Sequence, residues 1–144
     1  MQNSNSNNNV GVGASSLFGN SAGTNNVAVG YFAGVSTIFN NRNQTGSSNT
    51  SLGSNSGPAS TTQFSNSTAI GANAAVGASN ALVLGGITGV NGGTSVNVGI
   101  GTTAPTAKLH VQASGNDIYA TFSENDPGGA DGYKLQVAPG SGTS

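Results

Sequence analysis

The sequence predicts an all-β protein: a rod or head of stacked short strands, followed by a small antiparallel β-meander. One short phrase recurs six times, more than half of the residues are Gly, Ser, Thr or Asn, and charge and patterning change together near Pro105. The phrase is an apolar residue or Thr, a mostly small residue, then Val, Leu or Ile, then Gly. Its copies begin at Val10, Val27, Thr50, Thr68, Leu82 and Val98 and close on Gly13, Gly30, Gly53, Gly71, Gly85 and Gly101. Asn9, Asn26, Asn49 and Asn97 stand immediately before four of them, and the Gly-to-Gly spacings are 17, 23, 18, 14 and 16 residues. Units of this length cannot bury a hydrophobic face singly, so they stack on one another.

Residues 1–8 are Asn/Ser-rich without apolar pattern and read as a flexible lead-in. Residues 9–104 hold the repeats. Side chains alternate along a strand, so the first and third positions of each phrase share one side. That side carries the larger apolar residues and is expected to face a core, while the residue between them, Gly11, Ala28, Ser51, Ala69, Val83 or Gly99, lets another backbone come close. The closing Gly suits a turn that needs positive φ. Gly, Asn, Ser and Thr are poor helix formers and no 3.6-residue period is present, so helix is not expected.

Two longer connections interrupt the repeats. Val35–Ser48 carries Ile38, Phe39 and Arg42, and Pro58–Asn66 carries Phe64. Long excursions from a repeat are expected to project as loops and to hold recognition, which makes Phe39, Arg42 and Phe64 the candidate receptor-binding residues. From residue 105 to 144 the pattern is that of three strands, Lys108–Val111, Asp117–Ser123 and Tyr133–Val137, joined by turns at Ser114–Asn116 and Asn125–Gly132 and ending in a linker.

Composition removes several classes of function. The chain has three Lys/Arg in 144 residues, too few to neutralise a run of phosphates, so nucleic acid is not an expected partner. No stretch of about 18 apolar residues occurs, so membrane insertion through a helix is not expected. Met1–Ser6 has neither the basic start nor the apolar core of a signal peptide. With no Cys there is no disulfide framework, thiolate nucleophile or Cys-type zinc site.

The phrases also bound what one chain can do alone. Burying a medium apolar side chain contributes about 1.5–3 kcal/mol, whereas ordering one residue costs about 1–2 kcal/mol. Two such side chains per phrase do not offset the ordering of a whole repeat, and a lone strand stack leaves long edges. Three chains about one axis remove both problems, and closed cyclic symmetry is the usual solution for homo-oligomers. The expected core of that homotrimer is Val12, Val29, Leu52, Ile70, Leu84 and Ile100.

The segments Asn26–Gly30 and Ser67–Ala74 resemble the head repeats of trimeric autotransporter adhesins, a likeness that covers residues 9–85 loosely. Val98-Gly99-Ile100-Gly101-Thr102-Thr103-Ala104-Pro105-Thr106-Ala107-Lys108-Leu109-His110-Val111 resembles a segment common in bacteriophage tail fibres and spikes, where it often lies upstream of a self-cleaving chaperone domain. These resemblances imply a homotrimeric surface rod, with a left-handed β-roll or triple-stranded β-helix in the repeat region. The chain departs from both patterns in its irregular spacing and in carrying neither chaperone domain nor membrane anchor.

No catalytic residue, metal site or cofactor is expected. His110 is the only His and alternates with Leu109 and Val111, which places it on the outer face of a strand. Asp126–Gly132 has Gly and Asp as calcium loops do, but it occurs once and reads as a turn. Glu124, Asp126 and Asp131 are loop carboxylates in a small region, where a cleft for paired-carboxylate glycoside hydrolysis is not expected. The Gly-x-Gly pairs at 11/13 and 99/101 lack the third Gly, the following helix and the acid of a dinucleotide fold. Sequons at Asn43, Asn49 and Asn66 are chance matches in a chain so rich in Asn, Ser and Thr.

The expected function is a structural trimeric fibre or spike on a virion surface, contacting other virion proteins and presenting loops to a host-surface glycan or protein. The head of a bacterial trimeric adhesin is the alternative. An ice- or carbohydrate-binding solenoid ranks third, because only Thr50 and Thr68 recur in register and they are expected on the inward side.

Overall fold

The computed structural model describes residues 7–36 and 41–112. The expected strands at 117–123 and 133–137, residues 1–6 of the lead-in and Phe39 lie outside the described residues. The described residues are all-β, without α-helix. Nine short strands follow one another: β1 Val10–Val12, β2 Val27–Val29, β3 Thr50–Leu52, β4 Gly57–Pro58, β5 Thr68–Ile70, β6 Ala75–Val76, β7 Leu82–Leu84, β8 Val98–Ile100 and β9 Leu109–Val111.

Five of the six phrases stack. β1, β2, β3, β5 and β7 form one parallel sheet in that order, every strand beside the copy before it. The register is that of the phrase: Val10, Val27, Thr50, Thr68 and Leu82 stand in one column, and Val12, Val29, Leu52, Ile70 and Leu84 in the next but one. Slipping by one residue would turn every side chain to the other face, so the alternation pins this register.

After the closing Gly the chain turns and forms a second wall. β4 and β6 pair there in parallel. The first two coils keep the same rung-to-rung bonds without regular strands. Leu17 N–H donates to Ala33 O at 2.9 Å and Gly34 N–H to Ser56 O at 2.8 Å.

The two walls are close, and most of the residues buried between them are small. Ala28 packs with Leu17 and Ala33, and Ala69 packs with Ala74 and Val76. A Cβ placed on Gly34 would stand 3.5 Å from Ala28 Cβ and 3.0 Å from Leu17 Cδ2. The side expected to face a core, which the sequence reading places between chains, is thus turned away from this chain's own interior. The small middle residue faces the interior of the chain, and the larger apolar pair faces out. Thr50 and Thr68 point outward with that pair, not inward.

The closing glycines form a spine. Gly30 and Gly53 both have φ near +131°, and a Cβ on Gly30 would lie 2.7 Å from the Gly53 carbonyl carbon. Here Gly serves twice: it permits the left-handed turn and lets successive backbones touch.

The sixth phrase leaves the stack. β8 pairs in parallel with β9 instead, Val98 opposite Leu109 and Ile100 opposite Val111. The first strand expected in the meander is thus the parallel partner of the last phrase, across the expected boundary at 104/105. Val96 lies directly against Gly85, in the place the next glycine of the spine would take.

Candidate functional site

Three columns of residues precede the main sheet, one beside the other. Immediately before the strands stand Asn9, Asn26 and Asn49. Each side chain bonds to the next rung. Asn26 N–H donates to Asn9 Oδ1 at 2.7 Å, Asn49 N–H to Asn26 Oδ1 at 2.9 Å, and Ser67 N–H to Asn49 Oδ1 at 3.0 Å. Their Nδ2 groups donate to Gly23 O, Gly46 O and Phe64 O at 2.8–2.9 Å. Asn26 is buried, and both ends of its amide are used.

One residue earlier, Asn8, Asn25, Ser48, Asn66 and Asn80 all have φ between 54° and 60°. Asn tolerates this conformation better than most side chains. Asn7 and Asn8, read from sequence as lead-in, are already tied to the second coil: Asn25 N–H donates to Asn7 O at 3.2 Å and Asn8 Nδ2 to Asn25 Oδ1 at 3.2 Å.

One residue earlier again is a column of hydroxyls. Thr24 N–H donates to Ser47 Oγ at 3.0 Å, Ser47 N–H to Ser65 Oγ at 3.1 Å and Ser65 N–H to Ser79 Oγ at 3.0 Å. Ser65 and Ser79 are exposed. Sequence reading missed this column because its members are 23, 18 and 14 residues apart in a chain full of Ser and Thr.

The described parts of the two excursions are clamped together at Gln63. Gln63 Oε1 accepts N–H from Gln44 at 2.6 Å and from Thr45 at 3.0 Å, while its Nε2 donates to Arg42 O at 3.3 Å and Thr61 O at 3.1 Å. Val35 is fully buried, Asn43 is nearly so, and Asn43 N–H donates to Gly34 O at 2.9 Å. Pro58 belongs to β4.

Of the candidate receptor residues, Arg42 is half-buried, its stem lying over Gly19. Phe64 is half-buried against Ala69, Ala74 and Val76 and is a packing anchor. Gln63 brings the backbones of the two excursions together. Thr45, Thr61 and Thr62 are the exposed residues beside the clamp.

The outer face of the main sheet is apolar. Val12 is 55% exposed, Leu52 44%, Ile70 37% and Leu84 45%, with Val10, Val27 and Leu82 exposed beside them. Val29 is half-buried in the same column. Ile100, the sixth residue expected in a core between chains, is exposed on β8, outside the main sheet.

Away from this face the chemistry is sparse. The opening between the two walls, lined by Leu17, Asn26, Asn43, Asn49, Phe64 and Val76, has room for about one water. His110 Nδ1 faces Thr106 N–H at 3.3 Å. No group of three His, Cys, Asp or Glu that could hold a metal occurs among the described residues, and among them no helix is long and apolar enough to cross a membrane. Comparison of the chain with protein families, curated proteins and solved structures finds no match.

Proposed function

We propose that this chain is a segment of a trimeric fibre or spike of a virion, self-associating through the outer face of its main sheet and presenting the clamped excursions to a host surface. The observation that carries the reading is the pair of in-register columns, Val10/Val27/Thr50/Thr68/Leu82 and Val12/Val29/Leu52/Ile70/Leu84, turned away from the chain's own interior. Contiguous apolar surface of this kind marks an interaction face. The interior meanwhile buries mostly Ala, Ser and Asn, with Leu17, Val35 and Val76 the larger aliphatics among them, so the exposed aliphatic side chains of the sheet need a second surface to be sheltered. Identical copies supply one, and closed symmetry ends the association at a defined number. The likeness of residues 98–111 to phage fibre segments and the loose likeness of residues 9–85 to trimeric adhesin heads point the same way.

The recognition surface in this reading is the exposed rim around Gln63, with Thr45, Thr61 and Thr62 outermost and Arg42 at its edge. The β-roll or β-helix description belongs to this proposal too, since parallel in-register stacking of successive repeats is what such a rod requires.

The deciding experiment is sedimentation equilibrium on the full chain. A species of three times 13.9 kDa supports the proposal, and a folded, monodisperse species of 13.9 kDa overturns it. Genomic context separates fibre from adhesin: tail and capsid genes nearby, or an outer-membrane anchor domain in the same reading frame.

The hydroxyl column Thr24/Ser47/Ser65/Ser79 favours a second reading, a solenoid that binds ice or carbohydrate. Ser65 and Ser79 in it are exposed, and their hydroxyls accept the N–H of the rung before. Loss of glycan or ice binding in Ser65→Ala/Ser79→Ala, with the oligomer intact, would select that reading.

A further inference from the structure

We infer that Asn91 is a deamidation site gated by the fold. While the loop of residues 86–96 is docked its side-chain amide is locked. Once the loop opens, the amide is converted to an acid and the loop no longer closes as before. Nothing in this draws on the fibre reading.

The sequence singles the residue out. An Asn amide is lost when the backbone nitrogen of the next residue attacks its Cγ, and a following Gly, having no Cβ, obstructs that attack least. Of all the Asn in the chain, only Asn91 precedes Gly. Asn25, Asn55, Asn66, Asn73 and Asn80 share its left-handed φ, but Asn, Ser or Ala follows each of them. The Asn-Gly pair itself is what the turn asks for. Asn91 has φ 52° and Gly92 φ 69°, and Gly93 N–H donates to Val90 O at 2.8 Å, the type I′ geometry that Asn-Gly suits.

The turn does not require what surrounds the side chain. Asn91 is 5% exposed, while Gly92 beside it is open to solvent. Asn91 Oδ1 accepts the Ser36 hydroxyl at 2.5 Å, and its Nδ2 donates to Asn55 O at 2.6 Å. The amide thus stitches this loop to turns that follow β2 and β3, 55 and 36 residues earlier. Attack makes Cγ tetrahedral and swings it onto the Gly92 nitrogen, so it cannot proceed with both bonds kept. Reaction therefore waits for the loop to leave Ser36 and Asn55.

The step needs only water. The Gly92 nitrogen gives its proton to solvent and bonds to Cγ, the Cγ–Nδ2 bond breaks, and ammonia leaves. Water then opens the cyclic imide at either carbonyl, leaving aspartate or isoaspartate. The aspartate sets a carboxylate oxygen against the Asn55 carbonyl. The isoaspartate lengthens the backbone by one carbon, so the type I′ turn does not re-form. Either product releases what the loop holds: Val96 against Gly85, Thr94 against Gly86, and Thr88 N–H and Ser95 N–H bonded to each other's hydroxyls at 3.0 Å.

The test incubates the full chain in mildly alkaline buffer, with and without urea, and locates amide-to-acid conversion by peptide mass spectrometry. Conversion at Asn91 should be at least about tenfold slower without urea, the factor that an opening cost of about 1.4 kcal/mol gives. Ser36→Ala should accelerate it in native buffer and leave the rate in urea unchanged. In urea, where folding plays no part, Asn91 should convert ahead of every other Asn, and Gly92→Ala should slow it. The converted chain, separated by its added negative charge, should exchange the Thr88 and Ser95 amides faster than the parent, by a larger factor than Val27 and Gly30. Four results overturn the inference: equal rates with and without urea, no acceleration by Ser36→Ala, another Asn converting first in urea, or a converted chain whose Thr88 and Ser95 amides exchange as in the parent or rise only as much as Val27 and Gly30.

Discussion

The buried amide of Asn26 binds the coil that follows it at two points: its Oδ1 accepts Asn49 N–H and its Nδ2 donates to Gly46 O, both at 2.9 Å. A hydrogen bond contributes about 0.5–1.5 kcal/mol net, and a buried group left without its partner costs about 1–3 kcal/mol. Asn26 is thus a polar core residue doing what aliphatic residues do in a wider fold. Asn26→Ala is expected to lower stability by about 2–4 kcal/mol in urea denaturation, because it strands both partners. Asn25→Gly, at the exposed left-handed position beside it, should stay within about 0.5 kcal/mol of the parent.

Gly53 and Gly77 give opposite outcomes for one chemical change. Gly53 has φ +131°, and a Cβ there would lie 2.6 Å from the Gly71 carbonyl. Gly53→Ala should destabilise by more than about 1 kcal/mol. Gly77 has no left-handed φ and no neighbour within 4 Å of an added Cβ. Gly77→Ala should leave the melting temperature unchanged or raise it, by up to about 1 kcal/mol of stability.

Leu52 and Ile70 stand opposite one another in adjacent strands, both exposed. Leu52→Lys/Ile70→Lys is expected to preserve the far-UV spectrum of the chain and to abolish the assembled species in sedimentation. If assembly survives both charges, the apolar face is not the contact between copies.

Ser36, Asn55 and Asn91 tie together three turns, all with positive φ. Ser36 Oγ donates to Asn91 Oδ1 at 2.5 Å, and Asn91 Nδ2 donates to Asn55 O at 2.6 Å. Asn91→Asp keeps the acceptor for Ser36 but sets a buried carboxylate oxygen against the Asn55 carbonyl. A loss of at least about 2 kcal/mol is expected in thermal unfolding.

Gln63→Ala removes the clamp between the excursions without touching either wall of the stack. Amide exchange at Gln44 and Thr45 should accelerate while global stability falls by no more than about 1–2 kcal/mol. Equal acceleration throughout the chain would mean that the clamp belongs to the cooperative core.

Val27, Ala28, Val29 and Gly30 show what the amino-acid order determined. Alternation with a period of two made the strand, the closing Gly made the turn, and recurrence of the phrase made the parallel stack; each follows from local chemistry. The same alternation is equally consistent with either face turned in. Only the folded coil decided: Ala28 is fully buried against Leu17 and Ala33, while Val27 is exposed on the outer face. The Asn before each phrase is visible in the order, but its bonding as a ladder, the hydroxyl column and the Gln63 clamp are not, since each joins residues 14 to 23 positions apart that become neighbours only after the rungs align. The departure of Val98–Ile100 from the stack was a tertiary decision too: β8 pairs with β9, and Val96 lies against Gly85 at the end of the sheet.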